Sequence, residues 1–188
     1  MIIAFTGAGI SKDSGISTFM ERADIRDKLH RSYAQNHPTE YNNAIKELIS
    51  QINVAHPNDA HYVLAKYNIS IITMNIDNLH QKAGSKNVLS LHGDLPTLEQ
   101  VDIAYTLYNK PVLYGDPAPN YQKAYQIISE LGMNDIFLVI GASYSTMIAS
   151  DLRTLAISKG AHVIEIQDNA KMKVRETIEQ LEKRGFIK

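Results

Sequence analysis

Short apolar runs recur along the chain, each bounded by polar residues or glycine. They are rich in isoleucine and valine, which is typical of parallel strands covered on both faces. We predict strands at Ile2–Phe5, Ser70–Met74, Val88–Leu91, Ile136–Ile140 and His162–Ile166. These runs have the length of strands and are far too short to span a membrane.

Helical patterns lie between these runs, and several are followed by a glycine that can end a helix. We predict helices at Asn58–Lys66, Asn120–Leu131, Ser150–Ser158 and Lys171–Lys183, with Asn58 or Asp59 as the cap of the first. Strands that alternate with helices favour an α/β fold built on a Rossmann-like, doubly wound parallel sheet.

Two stretches interrupt this alternation. Glu21–Ser50 is polar and helical without a strand, and Leu95–Pro119 is a Tyr- and Leu-rich segment with prolines near its ends. We interpret both as insertions that form a reduced small lobe beside the sheet. The prediction is a single domain over residues 1–188, with a core at about 1–20, 71–94 and 117–188 and a lobe at about 21–70 and 95–116.

Composition narrows the function classes. The 188 residues include 19 basic and 20 acidic side chains, and no basic footprint for nucleic acid is visible. The chain has no cysteine, which excludes disulfides, thiolate zinc sites and cysteine nucleophiles. Its first residues lack the basic region of a signal peptide. We therefore expect neither nucleic acid nor membrane as a partner, and a cytoplasmic location; the oligomeric state stays open.

A glycine turn follows the first predicted strand, with Gly7 and Gly9 ahead of Ser11, where a helix can start. Glycines there let the backbone approach a phosphate, and a helix N-terminus attracts its charge. The spacing does not match G-x-G-x-x-G, because Lys12 stands where the third glycine belongs. Nucleotide binding and a purely steric need for glycine both remain open.

Polar residues also follow two other predicted strands. Asn75 and Asp77 come after the second strand, at the edge where open α/β sheets bind ligands, although helix capping is the more common role for such residues when each is taken alone. His92 comes after the third strand and is followed by Gly93. A histidine placed there suits a general base, and an ordinary hydrogen-bonded surface histidine is the alternative.

Taken together, these segments resemble the sirtuin family, the enzymes that use NAD to remove acyl groups from lysine. The resemblance extends from residue 2 to about residue 169. The blocks that carry it are GAGIS-x-x-SGI (Gly7–Ile16), T-x-NID-x-LH-x-x-AG (Thr73–Gly84), LHGDLP (Leu91–Pro96), KPVLYGDPAP (Lys110–Pro119) and IGASYSTM (Ile140–Met147).

The resemblance implies that NAD is a cosubstrate and that an acyl-lysine protein or peptide is the partner. It implies NAD contacts from Gly7, Ala8, Gly9, Ser11, Phe19, Asn75, Ile76, Asp77, Gly141, Ala142, Ser143, Gln167 and Asp168. It also implies that Tyr114, Gly115 and Asp116 pair with the peptide as an added strand.

The reaction implied by the resemblance gives three residues catalytic roles. The acyl oxygen displaces nicotinamide, whose carboxamide Asp77 holds, while Asn75 positions a water. His92 then removes a proton from a ribose hydroxyl, and water completes the transfer of the acyl group to ADP-ribose.

The sequence departs from the family pattern at several positions. Met20 replaces an arginine, for which Arg22 or Arg26 can substitute; Met74 replaces a glutamine, and Gln167 an asparagine. Only 17 residues separate His92 from Lys110, whereas a four-cysteine zinc ribbon needs roughly 23–28. We therefore expect no zinc or other metal.

These departures leave three functions open. The first is NAD-dependent protein-lysine deacylation. The second is an NAD hydrolase or ADP-ribosyltransferase, which the reduced lobe and Met20 favour. The third is a non-catalytic sensor of NAD or ADP-ribose, which Met74, Met20 and Gln167 favour, although binding alone has no need of His92.

Overall fold

A computed structural model describes residues 1–17, 21–144 and 146–187. Five parallel strands form one sheet in the order β3-β2-β1-β4-β5. Their bounds are β1 Ile2–Thr6, β2 Ser70–Thr73, β3 Val88–Ser90, β4 Ile136–Ile140 and β5 His162–Ile166. The chain builds outward from β1 first on one side and then on the other, so the predicted doubly wound, Rossmann-like sheet is confirmed.

The helices predicted between the strands are present, with ends displaced by up to three residues. The α-helices are α1 Ala23–Arg26, α2 Arg31–Asn36, α3 Pro38–Val54, α4 Asp59–Lys66, α5 Leu79–Lys82, α6 Asn120–Ser129, α7 Met147–Ser158 and α8 Ala170–Lys183. Two 3₁₀ helices lie at Ala8–Ser14 and Leu98–Thr106. No helix in the described ranges is long and apolar enough to cross a membrane.

Both faces of the sheet are buried. Helices α4 and α8 cover one face, where Leu64 and Val174 pack among the strand residues. Helices α6 and α7 cover the other, where Ile128 and Leu152 do the same. Every residue of β4 is buried, which explains why its sequence is a continuous apolar run rather than an alternating one.

The segment after β1 differs from the prediction. Ser11 does not start an α-helix, because Ala8–Ser14 forms a 3₁₀ helix instead. Gly15 ends it in the left-handed region with φ of 81°. Within this short connector the Ser11 side chain is buried and bonded to Asp77, so tertiary contact rather than helical propensity sets its conformation.

A separate apolar cluster underlies the two insertions. Tyr41 and Ile45 of α3 pack there with Val101 of the second 3₁₀ helix and with Leu113. Helix α4 falls within the predicted lobe range 21–70, yet it packs with the sheet cluster. We therefore propose that the lobe comprises about residues 21–55 and 95–116.

One arginine joins the two insertions. The Arg31 guanidinium donates through Nε and Nη2 to the Asp116 carboxylate at 2.7 and 2.6 Å. It also donates to the carbonyl oxygens of Tyr105 and Leu107, both at 2.7 Å, and lies 4.3 Å from the Tyr108 ring centroid. The side chains of Arg31 and Asp116 are only 10% and 2% exposed. The lobe is thus held by a buried, two-pronged ion pair.

Candidate active site

The turns after β1 and β4 meet at the carboxyl edge of the sheet. The Gly9 N–H donates to the Gly141 carbonyl at 3.0 Å, and the Gly7 N–H donates to the Ile140 carbonyl at 3.0 Å. A Cβ at Gly9 would lie 2.6 Å from the Gly141 Cα, and one at Gly7 would lie 2.6 Å from the Gly141 oxygen. Glycine is therefore required at both positions by the contact between two backbones.

Ser11, Asn75 and Asp77 form one directed network. The Asn75 side-chain amide donates to the Gly7 carbonyl at 3.1 Å and to the Ser11 hydroxyl at 3.2 Å. The Ser11 hydroxyl in turn donates to Asp77 Oδ2 at 2.6 Å, and the Leu79 N–H donates to Asp77 Oδ1 at 2.9 Å. Asp77 thus accepts from the first N–H of α5, although the N-cap of that helix is Asn78, and its carboxylate is held in one orientation.

This network borders a pocket with about 510 Å³ of empty space, part of it open to solvent. The structure brings together five of the predicted site residues in its wall: Ala8, Ser11, Asn75, Ile76 and Asp77. The pocket is also lined by residues that the sequence had not indicated, namely Ile16, Ser17, Leu48, Gln51 and Ile52. Three of these belong to α3, so the first insertion supplies one side of the pocket.

The two arginines considered as replacements for the missing family arginine lie in different surroundings. Arg22 lines the pocket and donates to Asp24 at 2.8 Å and to Glu47 at 2.7 Å. Arg26 instead pairs with the adjacent Asp27 on the surface. Of the two, only Arg22 is among the pocket-lining residues.

His92 lies two residues after the end of β3 and is held at both ring nitrogens. Its Nδ1 is 3.0 Å from the Met74 carbonyl oxygen, and its Nε2 is 2.9 Å from the Tyr121 hydroxyl. Burial lowers the pKa of His92, and its bond to the Met74 carbonyl only partly offsets this. The ring is therefore neutral at pH 7, the form in which a histidine can act as a base.

The remaining predicted NAD contacts lie after β4 and β5. Ala142 is buried, Gly141 adopts φ of 58°, and Ser143 is exposed. The Gln167 amide donates to Glu165 at 3.0 Å, while Asp168 pairs with Lys173 at 2.7 Å. Neither Gln167 nor Asp168 lines the pocket described above. The predicted contact Phe19 lies outside the described residues, as does Met20.

The predicted substrate loop already makes contacts within the chain. The Tyr114 N–H donates to the Leu29 carbonyl at 2.9 Å, and the Tyr114 carbonyl accepts from the Arg31 N–H at 2.9 Å. The Asp116 side chain is engaged by Arg31. Gly115, with φ of 94°, keeps its backbone groups outside these bonds.

Two buried histidines were not identified from the sequence. His61 caps α4, where its Nδ1 accepts from the Asn58 N–H at 3.3 Å, and it is fully buried. His80 Nε2 lies 3.0 Å from the Thr6 hydroxyl, which bonds Thr73 at 2.8 Å. The Leu-His pair of the NID block was the available signal for His80. The described residues contain no group of three or more His, Asp or Glu placed to bind a metal.

Comparison with known proteins gives a consistent result. The Sir2 family model matches residues 7–110. The chain is 32% identical to NAD-dependent protein deacylase 2 of Archaeoglobus fulgidus, over 86% of this chain and 78% of that protein. It is 35% identical to an NAD-dependent protein deacetylase of Bacillus anthracis, over 76% of this chain and 71% of that protein.

Solved structures agree with these sequence relationships. A Sir2 protein bound to a propionylated peptide superposes with a TM-score of 0.79 at 26% identity, covering 96% of this chain and 92% of that one. A Sir2 homologue in complex with ADP-ribose has a TM-score of 0.82 at 21% identity, over 100% of this chain and 94% of that one. The second likeness bears on the fold alone.

Proposed function

This chain belongs to the Sir2 family, and we propose that it is an NAD-dependent protein-lysine deacylase that transfers the acyl group to ADP-ribose and releases nicotinamide. Relatives named as NAD-dependent deacylases or deacetylases, at 30–35% identity over most of the chain, support this activity. The observation that carries it in this molecule is the pocket built on the Ser11–Asn75–Asp77 network.

The polar groups of this pocket fit the carboxamide of NAD. Among the described residues each Asp77 oxygen accepts one bond, and an oxygen with one bond retains a lone pair for an amide N–H. The Asn75 amide nitrogen donates to Gly7 and Ser11, so the Asn75 side-chain oxygen can accept from an amide or a water. NAD, when bound, supplies a ribose carbon from which nicotinamide can leave.

In this proposal the chain contributes orientation and one base. Asp77 and Ile76 hold the carboxamide, Asn75 positions a water, and the glycine turn at Gly7–Gly9 lies under the diphosphate. His92 takes the ribose proton, because its half-buried ring is neutral and its Nδ1 is fixed by Met74. An added peptide strand would use the backbone of Gly115 in the Tyr114–Asp116 loop.

An NAD hydrolase or ADP-ribosyltransferase is the second candidate. The Tyr114–Asp116 loop favours this candidate, because both backbone groups of Tyr114 are hydrogen-bonded to Leu29 and Arg31. Fewer backbone groups of the loop are therefore available to pair with a peptide. A non-catalytic sensor is the third candidate, and the fixed, neutral His92 argues against it. A cytoplasmic location stays a prediction from the sequence.

The deciding experiment is nicotinamide release from NAD by the purified protein, with and without an acetyl-lysine peptide. Deacylation requires that release depends on the peptide and that acyl-ADP-ribose forms. His92→Ala should reduce acyl transfer by about 10²–10⁴-fold, while His162→Ala, at an exposed position of β5, serves as the matched control. Equal release without peptide would identify the hydrolase, and NAD binding without release would identify the sensor.

A further inference from the structure

The ring nitrogen through which His92 would act as a base, Nε2, is hydrogen-bonded to the Tyr121 hydroxyl. Tyr121 is the second residue of α6 and follows the Tyr114–Asp116 loop along the chain. Its hydroxyl lies 2.9 Å from His92 Nε2, with the two ring centroids 6.0 Å apart. Nothing in the sequence pattern had indicated a role for Tyr121.

The direction of this hydrogen bond follows from the other side of the ring. The Met74 carbonyl can only accept, so the proton of the neutral His92 ring is on Nδ1. Nε2 then carries the lone pair, and the Tyr121 hydroxyl donates to it. While Tyr121 stays there, no substrate hydroxyl can give its proton directly to His92.

We propose that Tyr121 relays the proton from the ribose hydroxyl to His92, an inference that rests on the proposed deacylase function. The ribose O–H bond breaks as its proton passes to the Tyr121 oxygen, and the phenolic proton passes to His92 Nε2. The ribose oxygen is thereby freed to attack, Tyr121 ends neutral, and His92 ends as the imidazolium. No further reactant is needed.

The surroundings of the phenol suit this role. Its oxygen donates one proton to His92 and keeps lone pairs that no donor in the described part of the chain occupies. Burial raises the pKa of Tyr121, and the nearby Tyr114 adds to the effect, so the hydroxyl remains protonated. The hydroxyl can therefore accept one proton while it gives the other away.

Tyr121→Phe removes the hydroxyl and leaves the ring. Exchange of labelled nicotinamide into NAD reports the step before proton removal and should stay within about twofold of wild type. Formation of acyl-ADP-ribose should fall by about 10²-fold, near the low end of acid–base effects. Tyr125→Phe is the matched control, since Tyr125 lies one turn later on α6 and bonds Asp151 at the surface.

Measurement of acyl transfer by the wild-type protein distinguishes a failure of the proposed function from a failure of the relay. If the wild-type protein shows no peptide-dependent reaction, the proposed function fails. A peptide-dependent reaction in the wild-type protein supports the deacylase. The relay alone is then overturned if Tyr121→Phe transfers the acyl group as fast as wild type, or if Tyr121→Phe loses nicotinamide exchange in parallel with acyl transfer.

A spectroscopic measurement tests the same point without turnover. The ¹⁵N chemical shift of His92 Nε2 should move in Tyr121→Phe, because the donated hydrogen bond is lost, and should not move in Tyr125→Phe. Addition of ADP-ribose to Tyr121→Phe should leave the shift displaced. If ADP-ribose restores the wild-type value, the ribose reaches His92 directly and the relay is wrong.

Discussion

The Ser11 hydroxyl donates a 2.6 Å hydrogen bond to the Asp77 carboxylate, and both side chains are buried. The two residues are 66 positions apart, one in the turn after β1 and the other after β2. A short bond to an ionised acceptor is among the stronger hydrogen bonds in proteins. It fixes the orientation of the carboxylate that we propose holds the nicotinamide carboxamide.

Ser11→Ala should therefore weaken both the fold and the site. The change removes the donor to the buried Asp77 Oδ2 and one of the two acceptors of the half-buried Asn75 amide, at a cost of about 1–3 kcal/mol in the free energy of unfolding. NAD should also bind more weakly, by about tenfold, which corresponds to about 1.4 kcal/mol. Denaturant unfolding and calorimetric titration with NAD measure the two effects. Ser129→Ala, on the surface of α6, is the control, and equal values for both variants would contradict the assignment.

Arg31→Ala should destabilise the lobe because it leaves the buried Asp116 charge without its partner. Burial by itself raises the pKa of Asp116, but the bonds from Arg31 and the Leu113 N–H hold it below its usual range. Loss of one partner from such a pair costs about 3–5 kcal/mol.

Chemical denaturation of Arg31→Ala and Asp116→Asn, alone and together, measures this loss. The double variant should be less unstable than the sum of the single ones, because the second change removes the charge that the first leaves unpaired. Arg175→Ala breaks an exposed bridge to Asp59 and should cost no more than about 1 kcal/mol. A similarly small loss in the free energy of unfolding for Arg31→Ala would show that the Arg31–Asp116 ion pair does not hold the lobe together.

Gly9→Ala tests why the turn after β1 needs glycine. The added methyl group would lie 2.6 Å from the Gly141 Cα, so the two backbones must separate. We expect a clear loss of thermal stability even in the absence of NAD. Gly132→Ala is the control, since its nearest contact is the Asp135 carboxylate at 3.9 Å. If Gly9→Ala keeps full stability and loses only NAD affinity, the requirement is for the cofactor and not for packing.

Stability should fall between pH 7.5 and pH 5 because of buried neutral histidines. Burial lowers the pKa of His61 and of His80, whose rings lie 4.9 Å apart, and burial also lowers that of His92. Asp77 opposes the shift at His61, while the charge of His61 adds to it at His80. Below pH 6.5 the unfolded histidines bind protons that the folded ones do not. His61 and His80, whose pKa values are lowered to about 4 and about 3, each therefore remove about 2 kcal/mol from the free energy of unfolding at pH 5.

Guanidinium unfolding at the two pH values measures this loss. His80→Gln should reduce the difference, while His162→Gln, at an exposed position, should leave it unchanged. The carboxylates with lowered pKa, such as Asp116, lose their contribution only at lower pH and do not enter this window. An undiminished difference in His80→Gln would show that the buried pair is not responsible.

The sequence by itself determined the strands, the main helices and the sheet type. Burial on both faces of a parallel sheet demands continuous apolar runs, as in Ile136–Ile140, and this demand is visible residue by residue. Asn75, Asp77 and His92 were candidates because they follow predicted strands, where ligands meet such sheets, and the family resemblance gave them their roles. The 3₁₀ helix that starts at Ala8 was not predicted, since the buried hydrogen bond from Ser11 to Asp77 outweighs local helical propensity there.

Only the tertiary structure decided which side chains meet. Arg31 and Asp116 are 85 positions apart, and His92 and Tyr121 are 29 apart. Such pairs produce no periodic pattern in the sequence, because each residue taken with its neighbours in the chain is typical of an ordinary helix or loop position. The distance between them is set by how the two insertions and α6 fold back onto the sheet. That packing brings Arg31 to Asp116, where it joins the two insertions, and brings the Tyr121 hydroxyl to the candidate base His92.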